Sequence, residues 1–134
     1  MDGVIYLDTS ALAKLVVEEA ESVALAGWLD ERSTDALCTS LISRAELVRA
    51  ARRRGPEAVP RAQGLLAECA LIPLDTLTLD IVALLEPATL RTLDALHLAA
   101  ALSLGADVRA FVSYDARQCA AAEALGLPAV APGA

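Results

Sequence analysis

Four carboxylates, Asp8, Glu46, Asp94 and Asp115, stand where separate strands give way to helices, and acids so placed can hold a divalent cation. Asp8 directly follows the apolar run Val4-Ile5-Tyr6-Leu7, and Asp115 follows Val112-Ser113-Tyr114. Glu46 is expected in the second turn of the helix after the second strand, and Asp94 in the first turn of the helix that Thr92 opens. Clustered carboxylates repel, which raises the pKa of at least one unless something positive sits among them. Hard oxygen ligands with open positions suit Mg2+ or Mn2+. Such an ion activates a water, neutralises a phosphoryl oxygen and stabilises the leaving oxygen of an in-line displacement. Neither a cysteine dyad nor a serine triad is apparent, and the lone histidine, His97, offers no two-histidine acid/base pair. The chemistry these residues suit is metal-assisted hydrolysis.

Each acid also has a purely structural reading. Asp8 and Asp115 can be helix N-caps, and Asp94 a first-turn acid that complements the helix dipole. Glu46 stands three residues after Ser43, the spacing of a capping box. What this reading leaves open is why acids recur at one edge after several separate strands.

The elements that must position them alternate along the chain. A β-rich run over residues 4–7 stops at Asp8-Thr9-Ser10, after which Leu12, Leu15 and Val16 recur at helical spacing. A second helix is expected over residues 21–32, with Val23, Ala26 and Leu29 on one side and Trp28 beside them. Residues 36–39 read as a strand, and Ser40 as the N-cap of a helix that reaches Arg54 and ends at Gly55-Pro56. Residues 57–68 suit a helix despite Pro60 and Gly64, residues 69–74 a strand, and a further helix ends at Glu86-Pro87. Thr92 caps a helix whose stripe is Leu93, Leu96, His97, Ala100, Ala101 and Leu104, closed by Gly105. A strand over residues 108–113, a helix from Asp115 to Gly126-Leu127-Pro128 and a short Ala129-Val130 strand complete the order. Such alternation implies an α/β fold, a three-layer sandwich whose central, mainly parallel sheet is flanked by helices. No repeat or linker divides residues 1–134, so a single domain is expected.

Composition narrows the class. A hydrophobic fraction of 56% excludes a disordered chain, and with only 3% aromatic residues the Ala and Leu content favours helices packed through small side chains. The net charge of -7 argues against broad, non-specific nucleic-acid binding, yet bound divalent cations would offset it where a phosphate must sit. Cys38, Cys69 and Cys119 are odd in number and never form a C-x-x-C pair, which suits reduced thiols in the cytoplasm. No apolar run is long enough to span a bilayer, and Met1-Asp2-Gly3 carries no basic leader, so neither a membrane association nor a signal peptide is expected.

Four stretches resemble the PIN-domain ribonucleases, specifically VapC-type toxins of toxin–antitoxin pairs. They are Ile5-Tyr6-Leu7-Asp8-Thr9-Ser10-Ala11-Leu12, Ser43-Arg44-Ala45-Glu46-Leu47, the run from Leu93-Asp94 to Ala101, and Phe111-Val112-Ser113-Tyr114-Asp115. The tail Ala124-Leu125-Gly126-Leu127-Pro128 is similar too, so the likeness runs from end to end in the family's order. The resemblance implies a PIN-like fold and catalysis by Asp8, Glu46, Asp94 and Asp115. Mg2+ or Mn2+ would be held chiefly by Asp8 and Asp94, with Asp115 assisting directly or through water. Glu46 would position or deprotonate the attacking water, and Thr9 and Ser113 fall where such domains place small hydroxyl residues near the metal. It also implies RNA as substrate, arrested translation as outcome, a VapB-type antitoxin in the groove and a homodimer. Residues 54–74 match nothing distinctive.

Other residues are open to more than one use. Arg49, Arg52, Arg53 and Arg54, with Arg61 further on, can guide an RNA backbone or complement a helix C-terminus. His97 shares a helix face with Asp94 but belongs to the apolar stripe, so a packed, hydrogen-bonded core histidine is expected. Trp28, Ala120, Ala121, Ala124 and Leu125 suit core or dimer surface, and Asp75, Asp80, Asp107 and Glu123 solvent or capping positions. Among rivals, a phosphoacceptor receiver needs a lysine near a late strand, whereas the only lysine is Lys14. A haloacid-dehalogenase-type phosphatase wants a second Asp where Ser10 stands, and no P-loop is present. A PIN-like binding domain with a silent site is the non-enzymatic alternative.

Overall fold

Strand β1 (Val4–Leu7) lies at the centre of a five-stranded sheet, and its residues alternate between two separate cores. Ile5 and Leu7 face one helical layer while Tyr6 faces the other, all three fully buried, as the two-residue period of a central strand requires. The computed structural model describes residues 3–134; Met1 and Asp2, on which the expectation about a leader rests, lie outside them.

After β1 come α1 (Thr9–Val16), α2 (Ser22–Asp30), β2 (Ala36–Ser40), α3 (Ser43–Arg54), α4 (Ala58–Glu68) and β3 (Ala70–Ile72). Then follow α5 (Thr76–Leu84), α6 (Thr92–Leu102), a short turn of 3-10 helix, β4 (Val108–Val112), α7 (Ala116–Ala124) and β5 (Ala129–Val130). Every strand pairing is parallel, in the order β3-β2-β1-β4-β5. The chain therefore builds outward from β1 to β3, then returns to lay β4 and β5 on the other side. The reversal falls between β1 and β4, and it is beyond the strand ends at such a reversal that open α/β sheets bind their ligands.

Two helical layers cover the sheet, as a three-layer sandwich requires. Leu12, Leu25, Leu47, Ala62 and Leu66 from α1 to α4 pack on Ile5, Leu7 and Val112. On the other face, Leu98, Ala100 and Ala101 of α6 and Ala122 of α7 pack on Tyr6 and Phe111. The alanines let α6 lie close against the sheet, and α5 rests on α6.

Several local expectations need correction. Ser40 is the last residue of β2, and its Oγ accepts from the amide of Ile42 at 3.2 Å instead of capping the helix. Helix α3 thus begins later, at Ser43, and Glu46 lies in its first turn, not its second. Thr92 is the first helical residue of α6 and not its cap, a position Arg91 holds without a side-chain bond. On α2 the anchor is Leu25, fully buried, while Val23 is 76% exposed. On α6 everything from Ala95 to Ala101 is buried but Leu93 is 46% exposed, because that helix lies between sheet and α5 and not at the surface. Pro60 is tolerated because it sits in the first turn of α4, where the missing N–H has no helical partner to lose.

The three cysteines are free thiols. Burial, with the neighbouring Cys69, pushes Cys38 up to about 12, so it is an inert core residue. No helix among the described residues is long and apolar enough to cross a membrane.

Candidate active site

The end of β1 is tied to β4 before any side chain is considered: the amide of Asp8 donates to the carbonyl of Val112 at 3.1 Å. Asp8 then N-caps α1, its Oδ1 accepting from the amide of Ala11 at 3.1 Å and from Ser10 Oγ at 2.6 Å. Asp115 caps α7 in the same way, with Oδ1 accepting from the amides of Arg117 and Gln118. The structural reading of both acids therefore holds. It does not account for the depth of Asp8, which is 5% exposed. Burial raises the Asp8 pKa, and the hydroxyls of Ser10 and Ser113, the charge of His97 and the amide of Ala11 offset that only in part.

Ser10 is a positioning residue that the sequence reading passed over as one member of a helix-starting cluster. Its Oγ donates to Asp8, accepts from the amide of Tyr114 at 2.9 Å and lies 3.4 Å from Ser113 Oγ. Ser113 Oγ in turn accepts from the amide of Asp115 at 3.1 Å. One hydroxyl thus joins the turn after β1 to the turn after β4. The visible signal was a third hydroxyl-bearing or acidic residue in a row at a strand end.

Glu46 enters from α3. Its Oε1 accepts from Thr9 Oγ1 at 2.8 Å and contacts His97 Nε2 at 2.8 Å. The capping-box alternative falls away, because Ser43 is itself helical and its Oγ bonds Thr39 Oγ1 at 2.8 Å. Burial acts to raise the Glu46 pKa, but the hydrogen bonds from His97 and Thr9 and the charge of His97 prevail and hold it below the usual value. His97 is buried and hydrogen-bonded as expected, yet its partners belong to the candidate site.

Asp94 and Asp115 line one open groove of about 900 Å³, together with Pro87, Leu90, Arg91 and Arg117. Gln118 Nε2 donates to the backbone carbonyl of Asp94 at 3.0 Å and so joins α7 to α6. Asp94 is raised above its ordinary value, first by burial and then by the charge of Asp115, with Glu46 adding to it and His97 and Arg91 opposing. Acids from three separate helices therefore share one electrostatic field.

Among the described residues, no three Asp, Glu, His or Cys side chains converge closely enough to form a ready-made cation site. Asp8, Glu46 and Asp115 are each turned to hydrogen-bond donors of their own, as mutually repelling carboxylates are when amides and hydroxyls are within reach. The donor set nonetheless suits a hard divalent ion. It is all oxygen, and for Asp8 and Asp94 burial is the largest cause of a raised pKa, so a nearby cation would relieve both.

The arginines divide. Arg54 pairs with Glu19 at 3.6 Å, and Arg61 Nε donates to the carbonyl of Val16 at 3.0 Å, so both hold the fold together. Arg49, Arg52 and Arg53 are exposed on α3, with Arg49 and Arg53 on the same side of the helix as Glu46.

The PIN domain family matches residues 5–124. Ribonuclease VapC35 of Mycobacterium tuberculosis is 45% identical over 131 residues, which are 96% of this chain and 97% of that protein. Ribonuclease VapC47 of the same species is 40% identical over 133 residues, covering 97% and 98%. A solved structure described as "Structure of FitAB bound to IR36 DNA fragment" matches with a TM-score of 0.72 at 19% identity, over 97% of this chain and 96% of that one. That last likeness is one of fold.

Proposed function

The chain belongs to the PIN-domain family, and from that premise we propose that it is an endoribonuclease, the toxin of a type II toxin–antitoxin pair. The observation that carries this reading is that Asp94 and Asp115 line one groove, with Asp94 feeling the charges of Asp115 and Glu46, in a chain that aligns over nearly its whole length with VapC ribonucleases. The whole chain acts as one catalytic unit in the cytoplasm, as a homodimer held in check by a VapB-type antitoxin.

Asp8 and Asp94 would hold Mg2+ or Mn2+, with Asp115 assisting. Bound there, the ion would supply a water of lowered pKa and positive charge for the phosphoryl oxygens. Glu46, kept ionised by its hydrogen bonds, would orient the attacking water and accept its proton. Thr9 holds the Glu46 carboxylate through its hydroxyl, and Ser113 Oγ, accepting from the amide of Asp115, fixes the turn that carries that acid. The groove beside Asp94 and Asp115 takes the RNA strand, and Arg49, Arg52 and Arg53 meet its phosphates.

The purified protein is expected to cut structured RNA in Mg2+ and to stop when EDTA is added, read by gel and by mapping of the cut ends. Cutting that persists in chelator would rule out the metal-assisted route. If the arginines meet phosphate, replacing Arg52 and Arg53 by Ala lowers the slope of log affinity against log salt by about 1–2. Metal affinity should not change. An unaltered salt slope would return both residues to a purely structural role.

A further inference from the structure

The nuclease reading gives work to the acids but none to the buried pair behind Glu46. His97 is the chain's one histidine and is 3% exposed. Its Nε2 lies 2.8 Å from Glu46 Oε1 and 3.1 Å from Thr9 Oγ1, and its Nδ1 lies 2.7 Å from the hydroxyl of Tyr6. Proton accounting makes this arrangement directional. Thr9 spends its only hydroxyl proton on Glu46, so towards His97 it can only accept, and an ionised Glu46 can only accept as well. Nε2 must therefore carry the ring proton. In the neutral ring Nδ1 is then an acceptor, and the Tyr6 hydroxyl donates to it.

Tyr6 is well placed to enforce that tautomer. It is fully buried and stacked on Phe111 with centroids 5.3 Å apart and planes 2° from parallel. It also meets the His97 ring edge-on at 5.9 Å. Thr39 and the backbone of Ser40, at the end of β2, lie within hydrogen-bonding reach of its hydroxyl. Both bonds to Glu46 fall on Oε1, so among the described residues Oε2 is the oxygen left for a water.

We propose that Tyr6 and His97 form a positioning relay that fixes the tautomer facing Glu46 and so aims its carboxylate at the attacking water. The relay rests on the nuclease reading for its purpose, but its hydrogen-bond direction can be measured without activity. A histidine that merely filled the core would impose no such direction and would affect folding alone.

The single histidine gives one unambiguous signal in 15N-histidine spectra of the metal-free protein. At a pH where the ring is neutral, the wild type should show a proton on Nε2 and a bare, hydrogen-bonded Nδ1. Any other protonation pattern overturns the relay. In Mg2+, Tyr6→Phe should lower kcat for RNA about tenfold with KM unchanged. His97→Leu should lower it about 100-fold, and His97→Gln, whose amide N–H can stand in for Nε2–H, should recover to within about tenfold of wild type. Wild-type kcat in both Tyr6→Phe and His97→Leu would overturn the proposal, as would a Gln variant no better than Leu. Tyr6→Phe removes one oxygen and no packing, so it decides the matter if His97→Leu fails to fold. A wild type that shows the expected tautomer but cuts no RNA would instead sink the nuclease reading.

Discussion

Asp94→Asn is expected to lower RNA cleavage by at least about 10³-fold, because on the proposed reading it removes a charged metal ligand worth several kcal/mol in the transition state. The change is nearly isosteric and the side chain is only partly buried, so the fold should tolerate it. The companion measurement is thermal. Saturating Mn2+ at about 100 times its dissociation constant stabilises a folded protein by about 2.7 kcal/mol, on the order of 10 °C for a chain of this size. Wild type should show that shift and Asp94→Asn much less of it. Equal shifts in the two proteins would remove Asp94 from the ligand set, and undiminished cleavage would remove it from the site.

Asp8→Asn should separate stability from activity. Asparagine keeps an oxygen for the Ser10 hydroxyl and the Ala11 amide and remains a good N-cap, while removing a charge that burial makes costly. Cleavage should fall by about 10³-fold while the metal-free protein gains about 1 kcal/mol, a trade common at active sites. The sign of the pH dependence follows from linkage. Burial raises the folded pKa of Asp8 above the unfolded value near 3.8, so the native state binds the proton more tightly. Stability from this group is fully present below the unfolded pKa and is lost as pH rises through the folded one. Asp94 acts in the same sense, and Glu46, held low, in the opposite one. Comparing wild type with Asp8→Asn isolates the Asp8 contribution: the two midpoints should lie close in acid and separate as pH rises. A gap independent of pH, or a variant less stable than wild type at neutrality, would show that the buried charge is not what limits Asp8.

The order of elements was legible because it depends on local chemistry. Val4-Ile5-Tyr6-Leu7 is β-rich and ends at a capping acid, Gly55 and Gly126 take positive φ where helices stop, and the alanine-rich run after Asp94 suits a buried helix. Less legible was which side of each helix meets the sheet. Periodicity groups Val23, Ala26 and Leu29, but Leu25 is the residue that reaches the core, a choice made by α1 and not by α2 itself. Nor could spacing decide whether Ser40 or a later residue opens α3, since Ser40 closes its own turn while still in β2.

The amino-acid order alone determined that carboxylates follow β1 and β4 and lie near the starts of the helices after β2 and at Thr92, since each rests on a neighbouring strand end or helix start. That Glu46 falls in the first turn of α3 was decided by the structure. Only the tertiary structure decided what those acids meet. Tyr6 and His97 are 91 residues apart, Ser10 and the amide of Tyr114 are 104 apart, and neither bond leaves a trace in local propensity. The physical reason is that capping and periodicity act within a few residues. Burial and hydrogen bonding at the site depend on strands brought side by side by the crossover from β3 to β4, which no short stretch of chain encodes.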